Sequence, residues 1–304
     1  MIDDISSAIA AAKSDLPNIR CRLEEPMKNH TSFKIGGPVR VMFFPKDSAE
    51  LISVYDLLHE CGVSPIVIGN GTNILADDRP LESIVVNTAG LGSIDRINER
   101  EIRAGAGALL SKLAVYACGC GLSGLEFAHG IPGSLGGAVT MNAGAYGGEM
   151  KDVVFKTTAF SPEKGEYTLT GTEHGFSYRN SRFSDCSDVV LFSYIMLREG
   201  GMEDIKVKMS ELAALRRERQ PLDQPSAGST FKRPKEGYAA ALIEQAGLKG
   251  YAVGGAMVSE KHSGFVVNRG GALFSDVMAV IEHVKETVLK QFGIELELEI
   301  KILS

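Results

Sequence analysis

Hydrophobic positions along the chain alternate between a period near 3.6 and a period of two, and each switch marks an element. Ile5, Ala8, Ile9 and Ala12 share one face and predict a short helix over residues 5–12. A polar stretch follows, then Asn29–Val39 (NHTSFKIGGPV), where Gly36-Gly37-Pro38 marks a turn, and then the strand-like run Val41–Phe44. Asp47 and Glu50 precede the stripe Leu51, Val54, Tyr55 and Leu58, which predicts a capping box at the head of a helix closed by Gly62. Val63–Ile68 predicts a strand running into Gly69-Asn70-Gly71-Thr72-Asn73, and Ile84–Val86 predicts another. These elements predict an α/β unit over residues 1–89.

A second unit, residues 90–200, begins with a predicted strand at Glu101–Ala104. Gly105-Ala106-Gly107 then opens a helix carrying Leu110, Leu113, Ala114 and Ala117, which feeds the glycine-rich stretch Gly119–Gly148. Strand-like pieces follow at Val153–Phe160, Tyr167–Leu169 and Val189–Leu197, with the polar segment Phe176–Phe183 (FSYRNSRF) between the last two. Near Gly200-Gly201 the pattern changes to helices and short strands, which sets off a third unit, residues 201–304. Its first helix carries Ile205, Met209, Leu212 and Leu215 and stops at Pro221. Arg216, Arg217 and Arg219 near its end suit a helix C-terminus, as a solvated face or as an anion contact. A helix at Tyr238–Ala246 and a long one carrying Val277, Val280, Ile281, Val284 and Val288 follow. In Ile294–Ile302, apolar residues alternate with Glu295, Glu297, Glu299 and Lys301, the signature of a half-buried strand.

Composition narrows the function classes. A length of 304 residues suits two or three domains, and 44% hydrophobic with 23% charged residues is ordinary for a folded soluble chain. The net charge of −6 argues against a broad nucleic-acid face. The start MIDDISSAIAAAKSD is acidic and amphipathic, unlike a secretory signal, and no apolar run approaches the roughly 20 residues of a membrane span. A cytoplasmic protein without membrane insertion is expected. The five cysteines are odd in number and lack zinc spacing, so they read as free thiols and no metal is expected.

Candidate chemistry gathers at the glycines. Ten of the thirty residues in Gly119–Gly148 are glycine, against 34 in the whole chain, which suits backbone at positive φ or in close approach to something bulky. Gly130, Gly133, Gly136 and Gly137 around Pro132 and Ser134 suggest a rigid loop whose amides form a concave anion site; the alternative is a crowded turn between core elements. No GxxxxGK[ST], HExxH or GxSxG occurs, and Gly105-Ala106-Gly107 lacks the third glycine of a dinucleotide fingerprint because Leu110 stands there. Two glycine loops, Gly69–Asn73 and Gly130–Gly137, suit a ligand with a diphosphate and two ring ends. FAD and a nucleotide sugar both fit that description.

The segments HTSFKIGGP, VIGNGTNIL, FAHGIPGSLGGAVTMNAGAYGGE, YRNSRF, GSTFKRP, GLKGYAVGGAMVSEKHSGFVVN and LELEIKI occur in this order. With them the chain, from about Asn29 to its C-terminus, resembles the UDP-N-acetylenolpyruvoylglucosamine reductase (MurB) family. The resemblance implies a mixed α/β fold: a two-part FAD-binding domain of the vanillyl-alcohol-oxidase type, then a smaller α/β substrate domain. It implies an oxidoreductase in which NADPH reduces FAD and the hydride then passes to UDP-N-acetylglucosamine enolpyruvate, yielding UDP-N-acetylmuramate for peptidoglycan. Matched residue by residue, Arg179 of YRNSRF would grip the substrate carboxylate, Ser229 of GSTFKRP would donate the proton, and Glu299 of LELEIKI would assist at the enolate. Alternation alone does not choose among Glu295, Glu297 and Glu299; the resemblance picks Glu299. It assigns the FAD phosphates to Asn70, Gly71, Thr72 and Asn73 and to Gly133, Ser134, Gly136, Gly137 and Ala138, with Asn142, Gly144 and Ala145 continuing the wall. Lys232 is a candidate for the UDP diphosphate or the nicotinamide phosphate. His262 is a candidate substrate contact or else a structural histidine. The short interval from Ser181 to Ser229 resembles the family's second, shorter branch, and Arg233 stands where the longer branch has asparagine. Two rival classes share these features in part: a flavin oxidase of alcohols or sugars, and a non-catalytic nucleotide-sugar binder.

Overall fold

The computed structural model describes residues 2–304, which fall into two compact units built from interleaved segments. The first takes the chain up to Glu24, Arg40–Asn70 and Glu82–Ala214; the second takes Glu25–Val39, Gly71–Leu81 and Leu215–Ser304. The boundary at Ala214 and Leu215 lies within one helix, Met202–Arg219.

The first unit holds two sheets. One has four strands in the order Cys21–Pro26, Pro38–Phe43, Leu81–Asn87, Ile66–Ile68, and the last two pair in parallel with Ile66 opposite Val85; three of these strands extend at one end into the second unit's segments. Helices Ile2–Asp15 and Ser48–Glu60 bury Ala8, Leu51, Val54, Tyr55 and Leu58 in one cluster with Val41, Phe43, Ile84 and Val86. Asp47 caps the second of these helices as expected, its Oδ1 accepting from the Glu50 N–H at 2.9 Å. The return bond of the expected capping box is displaced by one residue: Glu50 accepts from the Lys46 N–H, not from Asp47. An ion pair from the Lys46 ammonium to the same carboxylate draws it there and holds it below the usual range, the Lys46 side-chain hydrogen bond being the main cause.

The other sheet is antiparallel and five-stranded, ordered Gly165–Thr170, Val154–Ser161, Val189–Met196, Glu101–Gly105, Ile94–Arg96. Helix Leu110–Gly119 buries the predicted stripe Leu110, Leu113, Ala114 and Ala117, in one cluster with Leu135 and Val139 of the short helix Leu135–Thr140.

In the second unit an antiparallel sheet, Ala252–Val253, Ala256–Val258, Val266–Asn268, shares a core with helix Phe274–Phe292. All five predicted stripe residues of that helix are buried and β-branched. Such residues are middling helix formers, so burial of the face stabilises this helix more than intrinsic propensity does. The C-terminal alternation is real in burial, with Leu296 and Ile300 inside and Glu295 and Glu297 outside. A continuous strand does not form, however. Leu298 makes one bridge to Phe231, and only Lys301–Leu303 forms a ladder, parallel to Ile74–Ala76. The segment changes partner midway, from Thr230 and Lys232 to Asn73, and that interrupts the ladder.

Candidate functional site

The candidate residues form two groups, one in each unit. In the first unit the glycine-bearing loops meet directly. A Cβ built on Gly69 would stand 2.0 Å from Ser134 Oγ, so with the hydroxyl in this rotamer the contact leaves no room for a side chain at Gly69. Ser134 precedes helix Leu135–Thr140 at the N-cap position, where a serine hydroxyl ordinarily accepts from the first helical turn. Its hydroxyl makes no such bond. Ser134 is 3% exposed, and among the described residues its Oγ has no hydrogen-bond partner. The Leu135 and Gly136 amides donate to Ala108 and Ala106 carbonyls at 2.8 Å, so these two N–H groups serve the fold. Gly133 accepts from the Leu110 N–H, Gly137 is exposed and Ala138 is buried. His129, which sequence reasoning passed over, also has a buried Nδ1 without a partner.

Further along, Gly144–Ala145 pairs with Gly148–Glu149 in a hairpin whose tip residues Tyr146 and Gly147 both have positive φ, 52° and 88°. That is the geometry of a two-residue turn matched to strand twist. Asn142, with φ of 42°, is fully buried. Its Nδ2 donates to Glu149 Oε2 at 2.7 Å and to the Ser177 carbonyl at 3.0 Å, and its Oδ1 accepts from the Lys151 N–H at 2.9 Å.

Arg179 lies in a tight turn closed by reciprocal backbone bonds between Ser177 and Asn180. Its φ of 53° places a bulky residue in the left-handed region, a strained state that the surroundings must enforce. Four anchors do so. Asn142 holds Ser177; Arg179 Nη2 donates to the Gly144 carbonyl at 3.2 Å; Ser181 Oγ and Ser184 Oγ donate to the Thr140 carbonyl; and the Arg182 N–H donates to the His174 carbonyl. His174 is itself buried and stacked on Phe176. Its Nδ1–H donates to the Gly171 carbonyl, so Nε2 accepts from the Thr157 hydroxyl, which is bonded in turn to Ser193. Burial lowers the His174 pKa and keeps the ring neutral in that chain.

The second unit brings the other candidates together on adjacent backbone. Glu299 N–H donates to the Thr230 carbonyl at 2.9 Å, and Lys232 N–H to the Glu297 carbonyl at 2.8 Å. The segment holding Ser229 therefore lies alongside the segment holding Glu299. On the other side of it the Thr230 N–H donates to Gly264 O, and Thr230 Oγ1 accepts from Val266 N–H, which brings the His262 turn next to Ser229. Asn73 Nδ2 donates to the Glu299 carbonyl at 3.0 Å and so fixes that residue from the far side. Ser229 is half-buried and follows Gly228 at φ of 79°. Glu299 is less exposed than Glu295 and Glu297, a difference the alternation could not reveal. Lys232 Nζ pairs with Glu297 at 3.2 Å. His262 Nδ1 accepts from the Gly264 N–H, its ring packs edge-on to Phe265, and burial lowers its pKa. Gly71 has φ of 60°, and a Cβ there would stand 1.9 Å from the His30 carbonyl. Thr72 is half-buried, and Asn70, the last residue of its segment in the first unit, is exposed.

These features fit a dinucleotide such as FAD: an unsatisfied buried Ser134 hydroxyl packed against the bare Cα of Gly69 and, in the same glycine-rich stretch, a His129 ring nitrogen without a partner among the described residues. Two of the predicted residues, Asn142 and Gly144, also take part in hydrogen bonds at the Arg179 turn. Thr140, Ser177, Ser181 and Ser184 were missed because their contacts join residues far apart in sequence, and Glu149 because its partner is set by the fold of the hairpin. Only the density of serine in YRNSRFS hinted at side chains tying down a turn.

Comparison with known proteins finds two family matches along the chain. Residues 39–171 match the family described as FAD binding domain, and residues 220–303 match UDP-N-acetylenolpyruvoylglucosamine reductase, C-terminal domain. The chain is 50% identical over 282 residues to UDP-N-acetylenolpyruvoylglucosamine reductase of Caldanaerobacter subterraneus subsp. tengcongensis, covering 93% of each chain. It is 45% identical to the same enzyme of Agathobacter rectalis, covering 97% of this chain and 98% of that one. Among solved structures it is similar to the Thermus caldophilus enzyme, with a TM-score of 0.80 and 32% identity over 94% of this chain and 99% of that one. Alkyldihydroxyacetonephosphate synthase, at 15% identity and a TM-score of 0.50, shares the fold over 64% of this chain. The architecture is thus an FAD-binding domain of the vanillyl-alcohol-oxidase type with a C-terminal α/β domain. No helix among the described residues is long and apolar enough to cross a membrane.

Proposed function

The chain belongs to the UDP-N-acetylenolpyruvoylglucosamine reductase family, and from that premise we propose that it reduces UDP-N-acetylglucosamine enolpyruvate to UDP-N-acetylmuramate with NADPH as reductant. It is an FAD-dependent oxidoreductase acting on an enolpyruvyl group. Bound FAD supplies the hydride for the substrate's methylene carbon. Residues 1–89 and 90–200 are assigned to FAD binding and 201–304 to substrate binding.

The chain's own residues then have distinct tasks. Ser134, beside the bare Cα of Gly69, is assigned a polar contact with FAD. Arg179 binds the substrate carboxylate through its planar fork and stabilises the charge that spreads onto it. Ser229 delivers a proton to the carbon next to that carboxylate. Glu299 is assigned to assist at the enolate that forms there. Lys232 is assigned to a phosphate; its present pairing with Glu297 is an exposed one, worth about 0–1 kcal/mol and easily exchanged. His262 is assigned to the substrate side.

The observation that carries this reading is the pairing of the Ser229 and Glu299 segments, braced by Thr230, Asn73 and Gly264. It puts a hydroxyl and a carboxyl group on neighbouring rigid backbone, as delivery of a proton beside a stabilised charge requires. The test is anaerobic spectroscopy of the FAD-loaded protein. NADPH should bleach the flavin, and the enolpyruvyl nucleotide should restore its colour. In Ser229→Ala, bleaching should proceed nearly as before while recovery slows by orders of magnitude. Equal loss in both halves would remove Ser229 as proton donor.

A further inference from the structure

We infer that Asn142 is a positioning residue that holds the Arg179 turn, and not a contact to cofactor phosphate. This rests on Arg179 being the residue that grips the substrate carboxylate. Asn142 lies in the glycine-rich stretch, where a ligand-facing amide would be expected, yet it is fully buried. Both N–H bonds of its amide are committed within the protein, one to the Glu149 carboxylate and one to the Ser177 carbonyl, which leaves no donor for a phosphate. The orientation of the amide is forced. Exchanging its oxygen and nitrogen would set an acceptor against a carboxylate and a carbonyl, and a donor against the Lys151 N–H.

The two partners of this amide are the two supports of Arg179. Ser177 is the base of the tight turn, and its carbonyl also accepts the bond from Asn180 that closes it. Glu149 lies opposite Gly144 in the hairpin, and the Gly144 carbonyl accepts from the Arg179 guanidinium. Asn142 therefore locks the backbone support of Arg179 to its side-chain support. Among the described residues, three of the five non-glycine residues with positive φ lie in this assembly: Asn142, Tyr146 and Arg179. Strained backbone of this kind persists only where the surroundings over-determine it, and Asn142 is the link they share. Lys151 Nζ, 3.2 Å from Glu149, and Asp152, which accepts from the Glu149 N–H, are the charged groups flanking the carboxylate.

Two variants test this in the FAD-loaded protein. Asn142→Asp keeps the shape and tolerates the positive φ but turns the donor into an acceptor. Asn142→Gly keeps the backbone freedom and removes the side chain altogether. In both, FAD affinity and the rate of flavin bleaching by NADPH should stay within about twofold of the parent, whereas KM for the enolpyruvyl nucleotide should rise about tenfold or more with a slower recovery phase. In an Arg179→Ala background, either Asn142 change should alter the recovery rate by less than about twofold, because coupled residues are non-additive. Weakened FAD binding with unchanged KM, or loss of FAD from both variants, overturns the inference and returns Asn142 to the cofactor site. Additive effects in the double variant overturn it while leaving the Arg179 assignment standing. If Arg179→Ala alone leaves KM and recovery unchanged, the Arg179 assignment falls and the inference falls with it.

Discussion

Replacing Ser134 with alanine should move two measurements in opposite directions. The Ser134 hydroxyl is buried, sits at a helix N-cap without capping, and has no partner among the described residues. A buried polar group left unsatisfied costs about 1–3 kcal/mol. Alanine removes that group without adding volume, so the FAD-free protein should gain stability on that order, a rise of roughly 2–4 °C in Tm per kcal/mol for a chain of this class. If the hydroxyl is paired with a charged oxygen of FAD, that bond is lost in the holoprotein. Hydrogen bonds to charged groups contribute about 1.5–3 kcal/mol, which corresponds to FAD binding weaker by about 10- to 100-fold. Thermal unfolding of the FAD-free protein and flavin fluorescence titration read the two effects separately. A stabilised FAD-free protein with unchanged FAD affinity would show that the hydroxyl faces no ligand. A destabilised one would show that Ser134 has a structural partner, and the cofactor assignment at this position would lose its basis.

Other outcomes follow from the same geometry. Arg179→Gly should unfold at higher denaturant than Arg179→Ala by about 0.5–1 kcal/mol, because left-handed strain of about 1–2 kcal/mol is relieved against roughly 0.5–1 kcal/mol of glycine entropy; both should lose substrate-driven flavin recovery. Gly71→Ala should destabilise by about 2–4 kcal/mol in chemical denaturation, since its Cβ would meet the His30 backbone carbonyl at a positive φ. His174 has a pKa lowered by burial from 6.5, so below that value the unfolded chain takes up a proton that the native ring resists. Its contribution to stability is complete above about pH 6.5 and is lost as pH falls towards the lower native pKa. In Tm measured between pH 7.5 and 5.5, His174→Gln should show a shallower decline than the parent; an equal slope would place the titration elsewhere, such as the half-buried His262, whose pKa is also lowered.

Several elements were legible in the sequence because their causes are local. The stripes at Leu51–Leu58, Leu110–Ala117 and Val277–Val288 each became one buried helix face, since a period of 3.6 fixes which side chains share a side. Asp47 was readable as a cap because it stands three residues before Glu50, at the head of the apolar stripe. The ordered set of motifs carried the family, the FAD and the C-terminal domain. At the C-terminus, by contrast, alternation correctly separated inside from outside but gave no partner, and the partner changes between Thr230 and Asn73. Periodicity also left Glu295, Glu297 and Glu299 equivalent, whereas pairing with Thr230 and Asn73 buries only Glu299 in part.

The sequence by itself determined the elements, the chemical types available and the two glycine loops, because propensity, periodicity and the freedom of glycine act within a few residues. Only the tertiary structure decided what those residues do together. It set Ser134 against Gly69 with its hydroxyl unsatisfied among the described residues, and laid the Ser229 segment beside Glu299. It also tied the Asn142 amide to Glu149 and to the Ser177 carbonyl. Apart from Asn142–Glu149, seven residues apart, those contacts join positions tens of residues apart, and their geometry is set by how the sheets and loops pack, which no local pattern encodes.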